Sequence, residues 1–252
     1  MNQCIVITGA TGAIGGALAL EYATNGVILI LQGRNLNRLE ELKTTCETKG
    51  ATVQIKVVDM RDIPTLQSWC KELTLQYALD LVIINAGMNT HGPIGELEPW
   101  DEAKAVLDIN LKSAIAMAQI IVPAMKKNHR GQIAFISSLA GYFGLPVTPT
   151  YSASKAGLKA YGEALRGLLA PDGIRVNVVM PGYIQSPMCD DMPGPKPFLW
   201  QPSRAARTIK KGLAKNKARI SFPFPLNFGT WWLAVLPAAI SHKIVTWLGY
   251  RG

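Results

Sequence analysis

The chain has 252 residues, of which 48% are hydrophobic, and a formal net charge of +9. This length suits one α/β domain with a full core. The four cysteines have neither paired spacing nor a histidine partner, which argues against a disulfide scaffold and a metal site, and no signal peptide precedes the first strand. We therefore predict a reduced, cytoplasmic, metal-free protein.

The charge is unevenly distributed. Residues 192–252 contain ten Lys or Arg and no Asp or Glu, whereas residues 1–191 contain 16 basic and 17 acidic residues. The basic excess is therefore a property of the C-terminal tail.

A glycine-rich turn follows the first predicted strand, Cys4 to Thr8, and leads into a helix that ends near Gly26. Glycines allow the backbone to approach a pyrophosphate, and the helix N-terminus favours its negative charge. The order of strand, turn and helix predicts a dinucleotide site. The residues predicted to form it are Gly9, Thr11, Gly12, Ala13, Ile14 and Gly15.

The second strand, Val27 to Gln32, is followed by Arg34 and by no acidic residue. An NAD site usually has Asp or Glu here for the ribose hydroxyls, whereas a guanidinium suits a 2′-phosphate. The pattern favours NADP over NAD, although Arg34 is alternatively a solvated charge.

Asp59, after the third strand, is a candidate adenine contact or the cap of a helix from Ile63.

The rest of the chain alternates strands and helices, which predicts an α/β fold with a doubly wound parallel sheet of the Rossmann type. We expect one domain over residues 1–252, with residues 185–252 forming a substrate lid and an apolar C-terminal extension. Ligands bind beyond the carboxyl ends of such strands. The predicted elements are strands Thr52–Val58, Asp80–Ile84, Gln132–Ser137 and Arg175–Met180, and helices Leu36–Lys49, Leu97–Leu107, Asp108–Asn128 and Tyr151–Leu169.

Ser138, Tyr151 and Lys155 form the candidate catalytic group. Tyr151 and Lys155 are four residues apart, so they share one helix face. We expect the ammonium group to lower the phenol pKa, so that Tyr151 exchanges a proton with an alcohol or carbonyl oxygen that the Ser138 hydroxyl holds.

With these motifs the chain resembles the short-chain dehydrogenase/reductase family, in its short single-domain branch, over roughly residues 3–184. The resemblance implies hydride transfer between nicotinamide and a carbonyl carbon, with Ser138, Tyr151 and Lys155 as catalytic residues and Asn110 holding a relay water. It implies a homodimer or homotetramer built on the Tyr151 helix and the Asn110 helix. It also implies further roles near the cofactor for Asp59, for Asn85, Ala86 and Gly87, and for Pro181, Gly182 and Ile184.

One feature departs from the branch, because Ala13 stands where a glycine is usual. The spacing of Gly9, Gly12 and Gly15 fits the longer epimerase and dehydratase branch, whose larger substrate domain this chain is too short to contain. An epimerase or dehydratase, and a dinucleotide-binding sensor without turnover, remain alternatives to a carbonyl reductase.

The substrate pocket is predicted from Tyr142–Pro149, Tyr183 and Ser186–Gln201. These segments are largely apolar and favour a hydrophobic ketone or alcohol, although a proline-rich mobile lid would have the same composition. His91 is a loop residue or a substrate contact. A basic helix, Ser203 to Lys217, precedes an uncharged aromatic stretch, Ile220 to His242. This tail either attaches peripherally to an anionic membrane surface or covers the pocket or a subunit interface. Nucleic acid is not expected, because the aromatic residues are not interleaved with the charges.

Overall fold

A computed structural model describes residues 3–93 and 96–250. Its centre is a parallel seven-stranded sheet with the order β3-β2-β1-β4-β5-β6-β7. The chain crosses the sheet between β3 and β4, so the carboxyl ends of β1 and β4 lie side by side. The strands are β1 Gln3–Ile7, β2 Val27–Gly33, β3 Thr52–Val57, β4 Leu81–Ile84, β5 Gln132–Ile136, β6 Arg175–Pro181 and β7 Arg219–Phe222.

Helices cover both faces of the sheet, because alternate residues of the buried strands point to opposite sides. Ile5 and Ile7 of β1 belong to one core cluster, and Cys4 and Val6 belong to the other. Helices α1, α2 and α8 pack on the first face, and α3, α5 and α6 pack on the second. The helices are α1 Ala13–Tyr22, α2 Leu36–Glu47, α3 Ile63–Gln76, α4 Trp100–Leu107, α5 Ser113–Lys127, α6 Pro149–Leu169, α7 Pro187–Asp191, α8 Pro202–Ala214, α9 Leu226–Val235 and α10 Ala238–Trp247.

The predicted doubly wound parallel sheet is confirmed, with differences at its edges. The strand β7 was not predicted, because its four residues lie within a longer aromatic and proline-rich run. Asp59 is not the cap of α3, since Asp62 accepts the hydrogen bond from Thr65 N at 3.1 Å. The helix predicted from Tyr151 begins two residues earlier, at Pro149.

The tail beyond β7 forms two short helices, α9 and α10, which meet at Pro237. Leu226 packs beside Leu139 and Met180 at the end of β6. Leu233 and Val245 pack against Val147, in the loop before α6. The aromatic tail therefore lies against the segment that leads to Tyr151.

One helical run among the described residues, Trp100–Lys127, is long and apolar enough to cross a membrane by length and composition. Half of its most apolar window is buried inside the protein. Met117 and Ile121 of α5 are fully buried in the core beside the sheet. We therefore interpret this run as a core helix.

Candidate active site

The glycine turn between β1 and α1 is tightly packed. Gly9 has φ +63°, and a Cβ on it would lie 2.8 Å from Ala86 Cα. A Cβ on Gly15 would collide with the Gly9 carbonyl oxygen. These two positions therefore require glycine, whereas at Gly12 the nearest atom is 3.3 Å away. The alanine at position 13 is accommodated as the first residue of α1.

A buried side chain that the sequence did not reveal holds the turn in place. Gln32, at the end of β2, accepts a hydrogen bond from Gly9 N at 3.0 Å and donates one to Val58 O at 2.6 Å. Because both ends of the amide are satisfied, Gln32 links the glycine turn to the ends of β2 and β3.

Asn85 fixes the same turn from β4. Its backbone N donates to Thr8 Oγ1 at 2.9 Å, and its Nδ2 donates to Thr8 O at 2.9 Å and to Gly9 O at 3.1 Å. Ala86 N also donates to Thr8 Oγ1, at 3.0 Å. Asn85 thus bridges the carboxyl ends of β1 and β4, where a dinucleotide would lie.

The N-terminus of α1 fits a pyrophosphate. Gly12 is the cap residue of α1 and has no side chain that could bond the first turn. The first N–H groups of the helix, those of Ala13 and Ile14, have no partner within the helix. The absence of a Cβ atom at Gly12 leaves the backbone there open to close approach.

The two predicted adenosine contacts lie at the ends of β2 and β3. Arg34 is exposed and sits just before Asn35, which caps α2. The Asp59 carboxylate is paired with Arg61, whose Nη2 lies 2.6 Å from Oδ2, and this hydrogen bond holds the pKa of Asp59 below its usual value. Arg34 also contributes to that lowering, so the two predicted residues share one electrostatic neighbourhood.

Ser138, Tyr151 and Lys155 come together beyond β5. Ser138 begins a single 3-10 turn, Leu139–Gly141, and its side chain accepts from Ala140 N at 3.1 Å and lies beside the Tyr151 phenol. The Lys155 Nζ lies 5.6 Å from the centroid of the Tyr151 ring and donates to Ile136 O at 2.9 Å. The helix spacing of four residues thus places both side chains at the end of β5.

The expected lowering of the Tyr151 pKa is wrong. Burial raises the pKa of this phenol, and the hydrogen bond from Ser138 only partly offsets the rise. The ammonium group is turned toward Ile136 O, and burial lowers the pKa of Lys155 to about 8. The protonated phenol is therefore the favoured form at neutral pH.

Asn110 lies at the centre of a π-helical segment, Asp108–Lys112, between α4 and α5. Its Oδ1 accepts from Met88 N at 2.8 Å, and its Nδ2 donates to Met88 O and to Ser154 Oγ, both at 2.9 Å. These bonds explain how a buried Asn is tolerated within a helix. A Cβ on Gly87 would lie 3.2 Å from Asn110 Oδ1 and 3.3 Å from Lys155 Nζ, so these groups adjoin.

The segment after β6 also borders the catalytic residues. Gly182 N donates to Phe222 O at 2.8 Å, which ties Pro181 and Gly182 to β7. The Ile184 side chain is buried in the core, so only its backbone is available to a ligand. Tyr183, which follows Gly182, shares a 2.6 Å hydroxyl contact with Tyr250, and Tyr250 donates to Pro195 O at 2.8 Å.

A cavity of about 650 Å³ opens beside Asn110. It is lined by Met88, Asn89, Thr90, His91, Glu102, Met188, Asp191 and Met192. Met188 and Met192 were expected in the pocket, whereas Phe198 and Leu199 are exposed and do not line it. Tyr142–Pro149 instead border a second depression of about 410 Å³ that continues onto α6 at Ala153 and Ala156.

Known proteins share both the sequence and the fold. The short chain dehydrogenase family model matches residues 3–194. An uncharacterized oxidoreductase of Myxococcus xanthus is 34% identical over 233 residues, which cover 92% of each chain. The 3-oxoacyl-acyl-carrier-protein reductase of Thermotoga maritima is 32% identical over 195 residues, which cover 76% of this chain and 78% of that protein.

A solved short-chain dehydrogenase from Sphingobium yanoikuyae in complex with NADPH shares the fold, with a TM-score of 0.82 at 20% identity over 97% of this chain and 95% of that chain. Fold and relatives together define an oxidoreductase. The chain belongs to the short-chain dehydrogenase/reductase family.

Proposed function

We propose that this enzyme interconverts a carbonyl and an alcohol with NADP as cofactor, on a small hydrophobic substrate. The observation that carries the proposal is the Tyr151 phenol, which lies beside Ser138 and one helical turn from Lys155 and whose pKa is raised by burial. A proton donor beside a second hydroxyl suits the oxygen of a ketone that becomes an alcohol.

Each catalytic residue has a distinct role in the proposal. Tyr151 donates the proton to the substrate oxygen, and Ser138 hydrogen-bonds that oxygen. Lys155 places a positive charge beside the phenol, which favours proton release in the transition state. Asn110 holds the loop after β4 beside Lys155 and is the proposed anchor of a relay water. The dinucleotide, when bound, supplies or accepts the hydride.

The proposed cofactor contacts follow from the turn and its neighbours. The backbone of Gly9, Thr11, Gly12, Ala13, Ile14 and Gly15 would hold the pyrophosphate. Arg34 would bind the 2′-phosphate, which is the basis for preferring NADP, and the NADPH bound to the Sphingobium yanoikuyae protein supports that preference. Asp59 is the proposed adenine contact. Asn85, Ala86, Gly87, Pro181, Gly182 and Ile184 are proposed on the nicotinamide side, together with Tyr151 and Lys155.

The hydrophobic substrate is supported by the methionines of the larger cavity. Met88, Met188 and Met192 line it, and the backbone of Met88 is hydrogen-bonded to Asn110. Methionine side chains are flexible and polarisable, so they adapt to apolar ligands of varied shape. Thr90 and Glu102, which are hydrogen-bonded to each other, add a polar rim.

A homodimer or homotetramer is proposed on the outer face of α6. Ala153, Ala156, Ala160 and Ala164 are exposed there, while Leu158 and Leu165 on the other face are buried. Small exposed side chains allow another helix to approach closely. Sedimentation at micromolar concentration tests this, because a purely monomeric protein would contradict it.

The proposed location is the cytoplasm, at the inner face of a membrane.

The direct test is a panel of ketones and alcohols assayed by nicotinamide absorbance with NADPH and with NADH. We expect turnover of apolar ketones with NADPH. Tyr151→Phe should reduce kcat by about 10²–10⁴-fold while leaving NADPH affinity unchanged, because it deletes only the proton donor. Tyr161→Phe, the same change ten residues further along α6, is the matched control. Full activity of Tyr151→Phe would refute the assignment.

A further inference from the structure

The α9–α10 hairpin packs a few apolar side chains inward and exposes several large ones. Asn227 donates to Ser221 O at 3.0 Å, and Thr230 donates to Leu226 O at 3.0 Å, so the two polar side chains of α9 bond backbone groups. Ser241 of α10 is fully buried and donates to Leu233 O at 2.8 Å. These three polar side chains of the hairpin are therefore bonded within the protein.

Large apolar side chains occupy the outer surface instead. No residue of α9 is buried. Phe228, Trp231 and Trp232 form an exposed aromatic cluster, in which the two indole centroids are 5.5 Å apart and the phenyl centroid lies 5.9 Å from Trp231. Phe224 and Trp247, at the two ends of the hairpin, are 78% and 81% exposed. A patch of this kind marks an interaction site.

The charge of the surrounding segment selects the partner. Residues 192–252 contain ten basic and no acidic residues. On α10 itself, Lys243 and His242 are exposed beside Ile240 and Trp247. The hairpin itself contains Lys243 and no acidic residue, so contact between two copies of this face would leave that charge without an opposite charge in an apolar interface. An anionic lipid leaflet attracts the same charges, and Trp side chains favour the depth of its headgroups.

We propose that the α9–α10 hairpin attaches the enzyme to the surface of an anionic membrane, with Phe228, Trp231, Trp232 and Trp247 inserted among the headgroups. Each helix has ten residues, about half of what a spanning helix needs. The hairpin therefore lies in the interface and does not cross the bilayer.

This attachment lies next to the catalytic group. Leu233 of α9, Val245 of α10 and Tyr250 pack against Val147, in the loop between Ser138 and Tyr151. Tyr250 also contacts Tyr183 at the site. On the proposed function, which this step assumes, Met192 packs against the same cluster and also lines the 650 Å³ cavity, so an apolar substrate dissolved in the lipid has a short path to that cavity.

Flotation of the full chain tests the attachment without any need for turnover, so it stands or falls independently of the proposed reaction. The probes are phosphatidylcholine vesicles with and without phosphatidylglycerol. We expect the protein to float with the anionic vesicles and to partition about tenfold less onto the neutral ones, because even a single basic residue near the surface, here Lys243, adds attraction to anionic lipid. Protein that stays at the bottom with both vesicle types overturns the proposal.

Variants locate the contact. Replacing Trp231 and Trp232 together by Ser should lower partition onto anionic vesicles by about tenfold or more. Trp100→Ser, which removes an exposed Trp on α4, is the matched control and should float like the parent chain. If the double variant floats normally but loses a dimer seen in vesicle-free sedimentation, the face joins two copies and the proposal is wrong.

A second measurement requires no variant. Lipids brominated near the headgroups quench the fluorescence of Trp residues that reach them. We expect quenching of the parent chain with brominated anionic vesicles, and less quenching of the double Trp variant. Absence of quenching in the parent chain overturns the proposal even if the variant fails to fold.

Discussion

The carboxyl edge of the sheet and the α9–α10 hairpin use their side chains in opposite ways. At the sheet edge, Gln32 and Asn110 are almost fully buried, and both ends of each amide are hydrogen-bonded. In the hairpin, aromatic rings face outward, and Asn227 and Thr230 bond backbone groups. The sheet edge is complete in itself and preorganised for a small ligand, whereas the hairpin lacks the surface that would cover it.

The difference also concerns tolerance to change. A buried network that is fully satisfied is costly to disturb, because any lost partner leaves a desolvated polar group behind. Substitutions on an exposed aromatic surface should cost less stability, since folding removes only part of these side chains from water. Substitutions in the two regions should therefore differ in both the size and the kind of their effects.

The largest effect is expected at the glycine turn. Gly15→Ala places a methyl group against Gly9 O, so the turn must shift. We expect dinucleotide affinity to fall by about a hundredfold, because displacements near 1 Å have costs of this size, and stability to fall by about 1–3 kcal/mol. Calorimetric titration with NADPH and thermal unfolding measure the two effects.

A glycine on an open helix surface provides the control for this turn. No atom lies within 4 Å of a Cβ on Gly167, in α6. Gly167→Ala should therefore leave NADPH binding unchanged and raise stability by about 0.4–1 kcal/mol. Equal losses in the two variants would show that the packing of the turn has no special role.

The next effect concerns the charge at the end of β2. Arg34→Asp should weaken NADPH binding by about ten- to a hundredfold, because it removes charge-assisted hydrogen bonds to the 2′-phosphate, and should improve NADH binding. The dissociation constants of both dinucleotides measure this. Lys49→Asp makes a similar charge change just beyond the other end of α2 and should alter neither constant. An unchanged NADPH affinity in Arg34→Asp would make Arg34 a solvated charge.

A smaller effect concerns the pH dependence of the catalytic group. Burial lowers the pKa of Lys155 to about 8, so its positive charge is present below that pH and lost above it. Burial also raises the pKa of Tyr151, which keeps the phenol protonated through this range. We expect kcat/KM for ketone reduction to be flat below pH 8 and to fall about tenfold per unit above it.

Lys155→Arg tests the source of this pH dependence. Arginine stays charged to a much higher pH, so any activity that remains should lose the decline above pH 8. A decline that persists unchanged would assign it to another group. The free energy of unfolding depends on the same group in the opposite direction. Between about pH 8 and pH 10.5 the unfolded chain binds more protons at Lys155 than the folded chain does. The free energy of unfolding should therefore rise with pH in this range.

The sequence predicted the parts of the molecule whose signals are local. The glycine turn, the alternation of strands and helices, and the spacing of Tyr151 and Lys155 all lie within short stretches, and each corresponds to an observed element. The placement of Ser138 near Tyr151 also followed, because Ser138 lies just beyond the end of β5 and Tyr151 lies in the first turn of the helix that comes next.

The parts that could not be predicted depend on contacts between distant residues. In the sequence, Gln32 is only one residue of an apolar strand. Its role depends on hydrogen bonds to Gly9 and Val58, which the fold brings next to it. The Tyr183–Tyr250 contact joins residues 67 positions apart. The direction in which the Tyr151 pKa shifts depends on the burial of the phenol and on the orientation of the Lys155 side chain toward Ile136 O. The helix spacing reveals neither of these.

The smallest effect is expected for a substitution in the hairpin. We compare it with the same substitution of a tryptophan in the core, by the change in the free energy of unfolding. Trp69, on α3, is 3% exposed and lies in the core beside the sheet, whereas Trp232, on α9, is 44% exposed. Trp69→Ser should lower the free energy of unfolding by about 3–5 kcal/mol, because it leaves a cavity and buries a hydroxyl. Trp232→Ser should lower it by about 1 kcal/mol or less, since only part of its ring is removed from water. Urea unfolding of both variants, without lipid, measures the difference, and a loss at Trp232 that equals the loss at Trp69 would mean that the hairpin is part of the core and needs no external surface.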